Sequence, residues 1–167
     1  MQKRLLWSIK TQRLQIYQGS NDDLQAVLKL LKDDELVRLS GLQLPNDQMI
    51  RSWAVSNWLS QKQLLLINDQ NNQLIGLIGL FSIYADDGQL CSKMAALGYL
   101  LKKSCWGNGI MTEALANVLP ALAKNSEFKL LHADVASENI RSQSLLKKLG
   151  FDQIGNENGY LKMVKAL

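Results

Sequence analysis

The sequence predicts a single α/β (α+β) domain over residues 1–167, built on a mixed, mostly antiparallel sheet of about six to seven strands with helices on both faces. Three observations lead there. The chain has 167 residues, 47% of them hydrophobic, which is a one-domain length able to hide roughly two-thirds of its unfolded surface. The spacing of its apolar residues switches between alternation and helical periodicity several times. Strand pairs that read as hairpins are joined to strand–helix–strand units, a combination that places helices against both faces of a mixed sheet.

The elements follow in order. Residues 13–17, RLQIY, alternate as a strand does. In SNDDLQAVLKLLKDDELVRL, Ser20 or Asn21 caps a helix, Asp22 and Asp23 suit its first turn, and Leu24, Val27, Leu28 and Leu31 share one face. A loop with Pro45 leads to a second helix over about 46–60 carrying Met49, Ile50, Trp53 and Trp58, with the tryptophans expected in the core or as cleft walls. QLLLIN at 63–68 and LIGLIGLFSIY at 74–84 flank the turn DQNNQ and form a hairpin. MAALGYLLKK at 94–103 is a further strand after the turn DDGQ. A glycine turn and a helix over about 108–124 come next, with Pro120 expected to kink that helix or mark its last turn. KLLHADVA at 129–136 is a strand, and ENIRSQSLLKKLG at 138–150 is a helix capped near Asn139 and ended by Gly150. FDQIG and YLKMVKAL close the chain as two strands around NENG.

Composition narrows the function classes. The net charge of +4 is mild and its lysines and arginines are scattered, so an ordinary soluble surface or a small anionic ligand fits better than nucleic acid, for which no motif is present. Cys91 and Cys105 lack metal-ligand spacing, and no metal is expected. The apolar runs are too short to span a bilayer. The opening MQKRLLWSIKTQRLQI has neither a continuous apolar segment nor a small-residue cleavage site, so the expectation is a cytoplasmic protein with reduced thiols.

The chemistry concentrates in KKSCWGNGIMTEAL, residues 102–115. A strand, a turn with Gly107 and Gly109, and a helix start expose backbone amides with no internal partner, reinforced by the helix dipole. Glycine lets a phosphate approach the amides of about residues 106 to 111 closely. The lysine of a nucleoside triphosphate loop is missing after the second glycine, and Thr112 stands where a dinucleotide fingerprint has its third glycine. An ordinary turn explains two glycines alone equally well.

The turn has company. LGYLLKKSCWGNGIMTEAL, followed about thirty residues later by ENIRSQSLLKKLGF, resembles the GNAT superfamily of acetyl-CoA-dependent N-acetyltransferases, and more narrowly the branch of ribosomal-protein N-terminal (alanine/serine) acetyltransferases. Gly98-Tyr99, Trp106-Gly107-x-Gly109, Glu113-Ala114, Asn139, Ser142 and Leu149-Gly150-Phe151 all fall at the family spacing, and TQRLQI at 11–16 resembles the branch's first strand. The match at the turn is partial, because Ser104 stands where the wider family has Gln or Arg. The resemblance implies an enzyme that moves acetyl from acetyl-CoA to a primary amine by direct attack in a ternary complex. It assigns the pyrophosphate to the amides of Trp106, Gly107, Asn108, Gly109, Ile110 and Met111. The pantetheine arm is assigned to the backbone of Leu100, Leu101 and Lys102, held like an added strand, with Asn139 contacting the arm or capping its helix.

The resemblance also implies the catalytic groups. A backbone amide around Tyr99 or Leu100 serves as oxyanion donor. The tyrosine that many members place on the last helix is replaced here by Leu146, and Ser142 matches the branch's serine as hydrogen-bond donor to the leaving sulfur. No general base is fixed: Glu157, His132, Tyr84, Tyr99 and a water chain stay open. Glu113 reads as dipole stabilisation and Lys102 and Lys103 as phosphate attractants or solvated surface. The acceptor is a protein N-terminal amine or a small-molecule amine such as an antibiotic, polyamine or amino acid. A coenzyme A-binding module without turnover is the alternative, and a homodimer is compatible with such folds.

Overall fold

A computed structural model describes residues 8–167; the first seven, part of the single domain expected over 1–167, lie outside the described residues. The chain runs β1 (Ser8–Lys10), β2 (Gln15–Gln18), α1 (Leu24–Leu30), α2 (Asp34–Ser40), α3 (Gln48–Ser60), β3 (Leu64–Asn68), β4 (Leu74–Tyr84), β5 (Leu90–Leu101), α4 (Ile110–Asn125), β6 (Leu130–Ala136), α5 (Ile140–Lys148), β7 (Asp152–Glu157) and β8 (Tyr160–Ala166). The strands form one sheet in the order β1-β2-β3-β4-β5-β6-β8-β7. All neighbours are antiparallel except β5 and β6.

Two cores sandwich the sheet. On one face, Met111, Ala114, Leu115, Val118, Leu119 and Leu122 of α4 and Leu146 of α5 pack on Ile16, Leu65, Ile67, Ile78, Leu97, Leu131 and Met163. On the other, Val27 and Leu30 of α1, Val37 of α2 and Val55 and Leu59 of α3 pack on Leu64, Leu66, Leu77 and Leu100. The continuous apolar run of β3 is thereby explained, since its successive side chains supply both cores. The β7–β8 hairpin turns through Asn158 and Gly159, at φ 51° and 81°, the left-handed pair that a two-residue turn matched to strand twist requires.

Several expectations need correction. The sheet has eight strands, not six to seven, because the three-residue β1 pairs with β2; so short a segment leaves no alternating pattern to read. The single helix expected after Ser20 breaks after Leu30. Asp33 starts α2 by accepting hydrogen bonds from the amides of Glu35 and Leu36, and Gly41 at φ 73° ends it. Pro120 does not mark the last turn: it lies on the exposed side of α4, which continues to Asn125. Trp53 is 70% exposed and Met49 83%, so the face of α3 they share is not core, whereas Trp58 is half-buried against Phe81.

Leu115 is fully buried at the centre of the α4 core. Leu115→Ala is expected to lower the unfolding free energy by about 2–5 kcal/mol, read as a lower denaturation midpoint with an unchanged denaturant slope.

Candidate active site

Parallel pairing between β5 and β6 lasts three positions: Met94↔Leu130, Ala95↔Leu131 and Ala96↔His132. Both strands continue, β5 to Leu101 and β6 to Ala136, but each keeps only its outer neighbour. β5 pairs with β4 as far as Gly76↔Leu101, and β6 with β8 as far as Ala136↔Tyr160. The strands therefore part after Ala96 and leave a cleft. A cavity of about 690 Å³ fills it, lined among others by Leu36, Leu39, Tyr99, Leu100, Gly107, Asn139, Ser142 and Leu145.

Strand alternation decides which backbone groups of β5 face the cleft. The Lys102 amide donates to the Ile75 carbonyl of β4 at 2.8 Å. The Leu101 carbonyl points the other way, where it accepts from the Trp106 indole at 2.8 Å. Successive residues alternate, so the backbone groups of Leu100 turn to β4 and those of Tyr99 turn into the cleft. Of the two amides considered as oxyanion donors, Tyr99 is the one aimed at open space. Lys102 does not line the cavity, and its amide is committed to β4.

The strand ends in the glycine turn. Gly107 and Gly109 take φ 76° and 70°, a left-handed geometry that an L side chain would strain. A Cβ atom at Gly107 would meet nothing within 4 Å, so the backbone conformation requires the glycine there and packing does not. Trp106 closes the turn by donating its amide to the Lys103 carbonyl. Among the described residues, the amides of 107–112 find no backbone acceptor. They form a row of free donors at the N-terminus of α4.

Charge around the turn is sorted by pairing. Glu113 accepts from Thr11 Oγ1 at 2.5 Å and from Arg13 Nε at 2.6 Å, and Arg13 Nη1 donates to the Asn108 carbonyl at 2.8 Å. Burial alone would raise the Glu113 carboxyl, but the hydrogen bonds from Thr11 and Arg13 together hold it below the usual carboxylate range. Glu113 thus braces α4 and the turn against the chain leading into β2, a role beyond the dipole stabilisation expected of it. Lys103 is taken by Glu35 at 2.6 Å and Asp33 at 3.0 Å, and those bonds raise its ammonium. Among the described residues, the cations that line the cavity are instead Arg141, stacked 5.1 Å from the Trp106 ring centroid, and Lys148. Sequence reading missed both, yet Arg141, Leu145 and Lys148 recur at the spacing of one face of α5.

Across the cleft, Asn139 caps α5 by accepting from the Ser142 amide at 3.1 Å, while its own Nδ2 donates to the Leu39 carbonyl at 3.1 Å. Ser142 Oγ lies 2.6 Å from the Tyr99 hydroxyl, so one hydrogen bond joins the two walls. Burial pushes the Tyr99 phenol up to about 12, outweighing the opposing effect of Ser142; it is a neutral hydroxyl at any physiological pH. Glu138 also lines the cavity and is ion-paired with Arg38. The other candidates lie elsewhere. Glu157 is exposed at the end of β7, and Tyr84 is 63% exposed at the end of β4. His132 sits at the last β5–β6 rung, with its buried Nε2 unpartnered. Among the described residues no acid, cysteine or histidine cluster could hold a metal, and no helix is long and apolar enough to cross a membrane.

A family model described as an acetyltransferase (GNAT) domain matches residues 13–152, and the chain belongs to that family. It is 35% identical to the probable N-acetyltransferase YjcK of Bacillus subtilis (strain 168) over 85 residues. That match spans 51% of this chain and only 45% of the relative. Over 159 residues it is 24% identical to the ribosomal protein uS5-alanine N-acetyltransferase of Escherichia coli (strain K12), covering 81% of this chain and 79% of that protein. Among solved structures, the ribosomal L7/L12 alpha-N-protein acetyltransferase RimL in complex with coenzyme A superposes with a TM-score of 0.78 at 18% identity, covering 96% of this chain and 98% of that one. The fold expected from the glycine turn and the Asn139–Phe151 segment is the fold found.

Because its folded value is depressed, the Glu113 carboxylate contributes stability that is present above the unfolded value of about 4.3 and lost as pH falls through the folded one. Melting curves of wild type and Glu113→Gln across pH are expected to show wild type higher by a few degrees at neutral pH. That advantage should shrink below about pH 4.

Proposed function

We propose that this GNAT family member is a single-domain, acetyl-CoA-dependent N-acetyltransferase whose acceptor is a protein N-terminal α-amine. One observation carries the reading: the parting of β5 from β6 leaves the Tyr99 backbone unpaired in a cleft that ends at the free amides of the Gly107–Gly109 turn. The relatives named as acetyltransferases of ribosomal-protein N-termini support the same assignment.

The residues present fit the ligand. Amides of 107–111, with Arg141 and Lys148 beside them, suit a pyrophosphate. The cleft-facing backbone of β5 suits an extended amide-bearing arm. Leu36, Leu39 and Leu145 wall the cleft with apolar surface. When bound, acetyl-CoA supplies an acetyl group already activated as a thioester. The chain's own contributions are then few. The Tyr99 amide is aimed to donate to the acetyl oxygen as negative charge gathers there. Ser142 on the opposite wall is placed to donate to the sulfur as it leaves.

The acceptor class follows from what the cavity lacks. Among the described residues, its titratable lining groups are Tyr99, Cys105, Glu138, Arg141 and Lys148. Tyr99 stays protonated, and Glu138 is engaged by Arg38. Such a site favours an amine that is already neutral in useful amounts. An α-amine titrates near ~8 and a lysine near ~10.4, so near pH 7.5 roughly a quarter of the former and about a thousandth of the latter is neutral.

Thermal unfolding with acetyl-CoA, with ATP and NAD as controls, tests the cofactor. Ligand at a hundred times its dissociation constant is expected to add ~2.7 kcal/mol, roughly 5–11 °C for this size. Gly107→Val should abolish the shift. Peptides with a free N-terminal Ala or Ser should release coenzyme A, and the same peptides carrying a blocked N-terminus and an internal lysine should not. Turnover only with small amines would replace the acceptor assignment, and binding without turnover on any amine would make the protein a coenzyme A-binding module.

A further inference from the structure

Tyr99 offers the cleft a side chain as well as its backbone amide. That side chain crosses the cleft from β5 to α5, and its hydroxyl meets Ser142 Oγ at 2.6 Å. Neither hydroxyl has another hydrogen-bond partner among the described residues, and both residues line the cavity. Two hydroxyls joined by one bond use one proton and leave the other unclaimed. A phenol is far more acidic than an aliphatic alcohol, hence the better donor, and a serine oxygen offers two lone pairs. Tyr99 therefore donates and Ser142 accepts. Ser142 is left with a proton it cannot share with Tyr99 and can aim only at the cavity.

Resting on the acetyl-CoA reading, we propose that the Tyr99 hydroxyl is a positioning group. It fixes the Ser142 rotor so that the serine proton is presented to the coenzyme A sulfur. In the transfer, the amine nitrogen bonds to the acetyl carbon and the carbon–sulfur bond breaks. Sulfur keeps the electron pair, and the amine proton passes to water. The serine hydrogen bond stabilises the thiolate so formed, and Tyr99 supplies no proton of its own. Burial, which keeps Tyr99 protonated far above neutrality, preserves it as donor throughout.

The thiol of bound coenzyme A reports this directly and needs no acceptor. The other ionisable groups lining the cavity are Cys105, Glu138, Arg141 and Lys148. Thiolate absorbance of the complex, minus that of free protein, is followed from about pH 6 to 9.5, where an ordinary thiol titrates near ~8.5. Tyr99→Phe and Ser142→Ala are each expected to weaken thiol ionisation by about tenfold relative to wild type, as loss of one charge-assisted hydrogen bond would. The double variant should show no further loss, because Tyr99 acts only through Ser142. Ser142→Thr, which retains a hydroxyl, should restore the wild-type value, and Tyr99→Phe in that background should remove it again. Unchanged ionisation in Tyr99→Phe, or additive losses in the double variant, would overturn the positioning role while leaving the cofactor reading intact. Failure of the wild-type protein to bind coenzyme A would overturn both.

Discussion

The structure turns on one missing piece of sheet. β5 and β6 share three rungs and then separate. A strand that parts from its neighbour leaves backbone donors and acceptors unsatisfied, and in a buried sheet that is costly unless something else meets them. Here the cost is limited in two ways. The Leu101 carbonyl, the last acceptor facing the gap, is capped by the Trp106 indole. The remaining edge, around Tyr99, is short and opens on a cavity instead of packed side chains. A ligand able to pair with a strand edge meets an edge already shaped for it.

Holding the two walls apart is the work of α2 and the glycine turn. Lys103, just past β5, is ion-paired to Asp33 and Glu35 at the start of α2. At the other end of α2, Arg38 pairs with Glu138, and the Leu39 carbonyl accepts from Asn139, both residues just before α5. The helix thus spans the cleft from one wall to the other. Exposed ion pairs of this kind contribute little to stability, so their value lies in fixing a distance. The Arg13 guanidinium does similar duty at the turn, tied to Glu113 and to the Asn108 carbonyl. A lysine could hold one of those partners but lacks the planar fork that reaches both.

What could be read in the sequence follows the range of the interaction involved. Local signals were clear. The glycines announce their turn by conformation, Asn139 its helix by capping, and β3 its double burial by an unbroken apolar run. Long-range partnerships left no trace. Nothing in LVRL says that Leu36 and Leu39 wall a cleft against α5. Nothing near Glu113 names Arg13, a hundred positions earlier, as its partner. The exposed Trp53 shows the reverse failure: its hydrophobicity points to a core or a cleft wall, yet it stands 70% exposed on α3 and does not line the cavity. Ser142 was singled out by its position in a motif, while its hydroxyl partner was hidden because pairing across the cleft depends on where β5 and α5 meet.

The balance between backbone and side chains accounts for the low identity to proteins of the same fold, 18% for a structure that superposes over nearly its whole length. A site made of a strand edge and a helix start constrains conformation more than composition. Two left-handed residues must occupy the turn, one strand must leave its neighbour, and a helix must begin immediately afterwards. Almost any apolar residues that preserve those features will serve. Chemistry that cannot be delivered by backbone then falls to very few side chains. In this chain the hydroxyls of Tyr99 and Ser142 are the pair that touches both walls, and they stand where the two strands have moved too far apart for main-chain bonds to bridge the gap.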